Sequence, residues 1–327
     1  MRRVSPEVNL KGGKGFVHLR KRRFEMKRVM SVMVALVLVV GIAGVASADN
    51  PNATTPRYLA WVPDEHMPVL DGVLDEWDWV PEGMAFSSAG YWDVDPGTWP
   101  RLVGSEEPTA DDFSVPFAFW GWNQTANVVV IAGQVIDDIG FGYDLSWGDT
   151  WRGVDTIYMY FDADHDHGVY QYEEGKNAEE AQQMICRPDL YEQGVAAAVF
   201  THYSGGCENA WTYAEPHTKV GYVWDYDTGS YTIEATFTLW DWADQTVGEE
   251  ASIKHILVPG QIIGMRFGYY DVDPDESWAY FTVNAPSIAD NAFTSDGFEN
   301  FLTLTAEETG IVAVESTSWG EIKSLFR

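Results

Sequence analysis

Basic residues are scarce in this chain. Across 327 residues, 20 Lys and Arg stand against 50 Asp and Glu, a formal net charge of −30. Ten of the basic residues but only two of the acidic ones precede residue 49, so the remainder sets 10 basic against 48 acidic residues. Its lysines are Lys176, Lys219, Lys254 and Lys323. Such a surface repels nucleic acid and anionic membranes. It suits calcium sites, an uncharged partner such as a glycan, or life in a salty medium. Cysteine is almost absent. Cys186 and Cys207 are the two present, and neither belongs to a His/Cys cluster with zinc spacing. In an exported protein they are expected to form a disulfide that staples residues 187–206. Catalytic signatures are missing too: there is no Gly-x-Ser-x-Gly elbow, no His-Glu-x-x-His and no phosphate loop. With so many carboxylates, no pair is singled out for glycoside hydrolysis. The expectation is a protein that is not an enzyme.

What is present begins with a leader. Lys27 and Arg28 precede the apolar run Met30 to Val45, which ends in Ala46-Ser47-Ala48. This is the pattern of a secretory signal peptide over residues 1–48, with Met26 as an alternative start. The run is shorter than the ~20 apolar residues of a full membrane span. The expected location is extracytoplasmic (periplasm, cell surface or medium), with no membrane insertion after cleavage.

Beyond residue 56 the chain reads as strands and turns. Val128 to Ile136 is a β-branched run. Thr156 to Phe161 sets Ile157, Met159 and Phe161 on one face and Tyr158 and Tyr160 on the other. Tyr231 to Leu239 alternates in the same way, followed by Ile262 to Tyr270, Ser277 to Val283 and Phe298 to Leu304. Short runs bounded by Gly, Asp, Asn and Pro predict an all-β antiparallel sandwich, of jelly-roll or immunoglobulin-like type, over residues 57–305. Propensity alone predicts a short helical insertion over Glu173 to Ile185. A tail, residues 306–327, closes the chain, with Trp319, Ile322 and Phe326 at helical spacing.

Two residue patterns point to chemistry. Asp162, Asp164 and Asp166 alternate through a turn, and calcium takes six to eight oxygen ligands at ~2.3–2.6 Å. The sixth position of that turn is His167 where an EF-hand needs Gly, so an EF-hand is excluded. Asp137-Asp138 and Asp271 to Glu276 are further acidic turns. Asp71, in Asp71-Gly-Val-Leu-Asp-Glu-Trp77, is either a calcium ligand or part of a packed corner. The second pattern is tryptophan, 15 residues, all after the leader. Trp92, Trp99, Trp147, Trp151 and Trp211 lie in loop-like segments, where an indole can stack on the apolar face of a pyranose.

The order of these motifs resembles the family 9 carbohydrate-binding modules and their DOMON-like relatives over roughly residues 64–304. The matching pieces are Asp71 to Trp77, Phe117 to Asp138, Trp151-Arg-Gly-Val-Asp155 with Tyr158 to Asp162, Tyr231 to Leu239, Pro259 to Gly264, Asp271, Ser277-Trp278 and Phe298 to Leu304. The resemblance implies a calcium-stabilised sandwich and a sugar held between two aromatic rings. It places Trp151 at the first ring and Phe293 near the second. Tyr158 stands where the pattern has a carboxylate, and Gly268 near the place of an amide. The expected ligand-binding set is therefore Trp151, Tyr158, Trp278 and Phe293, and the expected partner a glycan or polysaccharide. Two rivals remain: a surface, matrix or adhesion protein using the scaffold without sugar, and a haem-binding electron carrier drawing on Met184, His202 or His217.

Overall fold

The computed structural model describes residues 57–90, 92, 101–140, 155–166, 180–186, 199–200, 210–225, 227–244, 246–273, 278–283, 295 and 298–311. Residues 1–56, Trp151, Cys207, Phe293 and residues 312–327 lie outside them. Among the described residues no helix is long and apolar enough to cross a membrane.

Among the described residues fifteen strands follow in chain order: β1 (Arg57–Trp61), β2 (Ala85–Phe86), β3 (Arg101–Gly104), β4 (Phe113–Asn123), β5 (Val128–Asp137), β6 (Thr156–Asp162), β7 (Gln182–Cys186), β8 (Val199–Phe200), β9 (Thr218–Trp224), β10 (Tyr231–Phe237), β11 (Trp240–Trp242), β12 (Ile253–Lys254), β13 (Ile262–Val272), β14 (Trp278–Val283) and β15 (Glu299–Thr303). They build an all-β sandwich. One sheet runs β8-β7-β6-β13, with β15 and β14 sharing the far edge of β13 and β3 outside β14. The other runs β4-β5-β10-β9, with β2 on the free edge of β4.

β1 belongs to both sheets. Arg57 to Leu59 pair with β15, and Ala60 and Trp61 pair with β4, both in parallel. The remaining ladders are antiparallel, so the sandwich departs from a purely antiparallel one at this crossing strand.

Period-2 alternation decides what lies between the sheets. Val129, Ile131 and Val135 of β5, Ile157, Met159 and Phe161 of β6, and Met265, Phe267 and Tyr269 of β13 are buried in one core. Rings meet across it: Trp120 to Phe267 at 5.2 Å and Phe161 to Phe237 at 5.7 Å. Pro116 lies in β4 where the register with β5 shifts, which is how a strand tolerates a residue with no N–H.

Two expectations are corrected here. The helix predicted over Glu173 to Ile185 does not hold at its end. Gln182 to Cys186 form β7, paired antiparallel with β6. Met184 and Cys186 enter the core, and tertiary pairing overrides a modest helical propensity. The expected disulfide is also not formed. Cys186 is a free thiol, fully buried on the core side of β7, and burial pushes it up to about 12.

Asp71 to Trp77 form a packed corner. The corner covers the outer face of the second sheet, where Trp77 packs against Phe119 at 5.0 Å between ring centroids. Beneath it lies Glu234 of β10, with no solvent exposure. One of its oxygens accepts the Trp77 indole N–H at 2.7 Å. The other accepts the backbone N–H groups of Asp71 and Gly72 at 3.1 and 3.0 Å. Three donors make this buried carboxylate tolerable without a counter-ion. Glu234→Ala orphans all three and is expected to lower stability by about 3 kcal/mol in urea denaturation, with Glu234→Gln milder.

Candidate functional site

β6, β13 and β14 carry aromatic side chains on the solvent side of the first sheet. In register, Tyr158 lies opposite Gly268, Tyr270 opposite Tyr280, and Trp278 opposite Val272. Cross-strand partners share a face, so Tyr158, Tyr270, Trp278 and Tyr280 form one patch. Tyr270 is its centre, with ring centroids 5.8 Å from Tyr158, 5.6 Å from Tyr280 and 6.1 Å from Trp278. Tyr158 and Tyr280 are 6.2 Å apart. Tyr280 is buried and Tyr158 and Tyr270 half-buried, whereas Trp278 is 38% exposed. An indole of that exposure on a rigid strand is available to a partner.

Two local features hold the patch. Ser105 clamps the start of β14: its N–H donates to the Trp278 carbonyl at 2.9 Å, and its Oγ accepts the Trp278 N–H at 3.1 Å. Gly268 has no side chain, and the Tyr280 ring occupies the space where a Cβ would stand. The missing amide at Gly268 is therefore a packing requirement of the aromatic patch.

Of the expected ligand-binding residues, Tyr158 and Trp278 are thus brought to one face, joined by Tyr270 and Tyr280, which the sequence reading did not single out. Tyr280 shares strand parity with Trp278 on β14, whereas Tyr270 joins them only through the β13–β14 register. Trp151 and Phe293 lie outside the described residues. Trp92 borders a separate cleft of about 460 Å³ lined by Ser88, Leu102, Glu107, Phe113 and Pro116, among others. Met184 is part of the core. His217 stands against Trp240, with Nε2 3.2 Å from Glu249.

The expected metal ligands separate into two places. Asp162, Asp164 and Asp166 each bring a carboxylate oxygen within 4.8 Å of the others. The turn between them is shaped by His165, which has φ 57° and is held inward by a 2.8 Å contact from Nε2 to the Asn300 side chain. Partial desolvation, then Asp166, Asp162 and Asp241, push Asp164 up to about 7. Asp71 stands elsewhere, beside Glu76 and Glu234. Its Oδ1 accepts the Val73 N–H at 2.9 Å, and Glu234 is already engaged by its three donors.

A third carboxylate group was legible only in fragments. Asp137, Asp155 and Asp271 come together within 4.8 Å and are 3%, 2% and 4% exposed. Asp112, Asp138 and Asp273 form a second trio, close enough for its charges to act on the first. Burial, then the charges of Asp273 and Asp138, push Asp137 up to about 6. Burial followed by Asp137 and Asp273 pushes Asp271 up to about 9. The sequence showed Asp137 and Asp271 as separate acidic turns and Asp155 as a motif residue. Nothing local announced that they meet.

No protein-family model matches the chain, and no curated protein does. Among solved structures it is similar to a family 9 carbohydrate-binding module from Caldicellulosiruptor kristjanssonii in complex with cellotriose. The two share 14% identity over 80% of this chain and 100% of that one, with a TM-score of 0.49. A family 9 module of the same organism in complex with glucose shares 13% identity over 76% and 95%, with a TM-score of 0.48. At this level the likeness assigns no ligand to the chain and no role to any residue.

The raised carboxylates set a pH dependence. Asp137, Asp164 and Asp271 hold their protons more tightly folded than unfolded, so the folded state binds the extra protons. Their contribution to stability is complete below about pH 4 and is lost as pH rises through about 6, 7 and 9. In EDTA, the melting temperature is expected to fall between pH 5 and pH 9. A rise across that window contradicts the assignment.

Proposed function

We propose that this chain is an exported, non-catalytic glycan-binding protein, a β-sandwich stabilised by calcium, that holds an uncharged saccharide against its aromatic patch. The observation that carries the reading is the position of Trp278. A pyranose ring presents a face of C–H groups flanked by hydroxyls, and an exposed indole offers a flat apolar surface of matching size. The half-buried Tyr158 and Tyr270 extend that surface with phenolic groups able to bond hydroxyls. The strands fix these rings before any ligand arrives, so little ordering entropy is lost on binding. Trp151 is the further ring proposed for the cleft, with Phe293 opposite.

Charge supports the same class of partner. A chain with 48 acidic and 10 basic residues after its leader repels anionic polymers, and a neutral polysaccharide is not repelled. The Asp162/Asp164/Asp166 turn is proposed as a calcium site. Its three carboxylates have the spacing for one such ion, and the ion would pin the end of β6, the strand that carries Tyr158.

The test is retention of the secreted chain on insoluble cellulose and other neutral polysaccharides, with titration of cellotriose and glucose. Trp278→Ala is expected to weaken binding at least ~10-fold, about 1.4 kcal/mol, with an unchanged melting temperature. Retention by wild type that Trp278→Ala leaves intact contradicts the site. No retention on any neutral polysaccharide contradicts the function.

A further inference from the structure

A cleft opens where the edges of the two sheets do not close on each other. β3 lies outside β14 in the first sheet. In the second, the short β2 pairs with β4 at Phe119 and Ala118. Beyond β2, Ser88 ties the chain to β4: its N–H donates to the Val115 carbonyl at 2.8 Å, and its Oγ accepts the Val115 N–H at 2.9 Å. Trp92 then bridges to Leu102 of β3. The space between, about 460 Å³, has apolar walls of Trp92, Leu102, Pro108, Phe113 and Pro116. That is the size of a small-molecule site. Leu102 and Phe113 belong to the core and Trp92 packs against it, so the walls are fixed before a ligand enters. We propose that this cleft binds a small organic cation, a quaternary or alkylated ammonium ion that also carries a hydroxyl or ether oxygen.

Three polar side chains line the cleft with bonding capacity to spare. Ser88 is 5% exposed. Its Oγ is taken as an acceptor by Val115, but its own proton has no acceptor among the described residues. A buried hydroxyl proton normally finds one, and an oxygen of the ligand supplies it. Ser114 donates to the Ala110 carbonyl at 2.7 Å, which leaves its lone pairs free to accept. Glu107 is exposed at the rim and forms no ion pair among the described residues.

Charge selects the class of ligand. The described residues that line the cleft include no Lys, Arg or His. Glu106 precedes Glu107, and Asp111 and Asp112 stand between the lining residues Ala110 and Phe113. An acidic rim draws cations in and repels anions. The walls narrow the choice further. A bare metal ion or ammonium would give up its water against indole and phenyl rings. A quaternary ammonium spreads its charge under methyl groups, which pack on apolar walls and are attracted to the face of an indole.

This reading is independent of the saccharide proposal, because the cleft and the aromatic patch use opposite faces of β14. Leu102 is the register partner of Phe281, which faces the core. Trp278 and Tyr280 stand on the other face.

The test is calorimetric titration of the mature chain with choline and with its neutral isostere, in which a tert-butyl group replaces the trimethylammonium. Choline is expected to bind saturably, and the isostere at least ~10-fold more weakly. Trp92→Ala is expected to weaken choline binding at least ~10-fold, and Glu107→Gln about 3-fold. Ala110→Trp, which fills the cleft, is expected to abolish it. Because Trp92 also packs on the core, its variant is read beside the other two, whose exposed positions leave the melting temperature unchanged. Trp278→Ala is expected to bind choline as wild type does. The proposal is overturned by the absence of saturable choline binding, by equal affinity for the isostere, or by unchanged affinity in Ala110→Trp. Binding that is lost in Trp278→Ala and kept in Trp92→Ala puts the cation on the aromatic patch and overturns it too.

Discussion

Negative charge buried between the two sheets is the constraint on which this structure turns. β-sheet pairing fixes it. Once β13 is in register with β6 and β5 lies in the facing sheet, strand parity points Asp137 and Asp271 inward with Asp155 between them. Three ionised carboxylates at such spacing are incompatible with a dry interior unless a proton or a cation joins them. Protonation relieves the repulsion: burial and the neighbouring acids push Asp137 up to about 6 and Asp271 up to about 9, so Asp271 keeps its proton at neutral pH.

Glu234 shows how the molecule satisfies a buried acid with its own donors. It is as deeply buried as the aspartates, yet the Asp71 to Trp77 corner brings it an indole N–H and two backbone N–H groups. The corner thereby becomes a lid hydrogen-bonded to the sheet it covers. Similar acids thus sit in different surroundings: Glu234 is held by three donors, whereas the aspartates raise one another's hold on protons. The difference lies in the donors each environment supplies, which residue type alone does not reveal.

Much of the fold was legible in the sequence because burial in a sandwich has period two. The alternation of Ile157, Met159 and Phe161, or of Tyr231, Ile233 and Ala235, names both the strand and its inward face. The errors came where a local rule met a distant partner. Gln182 to Cys186 has helical propensity but lies beside β6, and a ladder with two core-facing residues outweighs that preference. Cys186 was expected to staple a loop, yet the same pairing turns its thiol into the core. The site was legible in part. Tyr158 and Trp278 were chosen from motif position, and the sheet set them on one face. Tyr270 and Tyr280, which connect them, required the β13–β14 register, and the Asp137/Asp155/Asp271 group required three segments separated by many residues to meet.

The aromatic patch and the carboxylate trio occupy opposite faces of the same strand end. What fixes one steadies the other, so a rigid outer surface of rings rests on the electrostatics beneath it. The most direct measurement is native mass spectrometry of the mature chain, purified without chelator and exchanged into volatile buffer at neutral pH. A folded charge-state distribution with a mass excess matching bound calcium, removed by EDTA and restored by added Ca²⁺, is predicted. A folded chain at the bare polypeptide mass, equally compact before and after EDTA, would contradict the proposed calcium-stabilised sandwich.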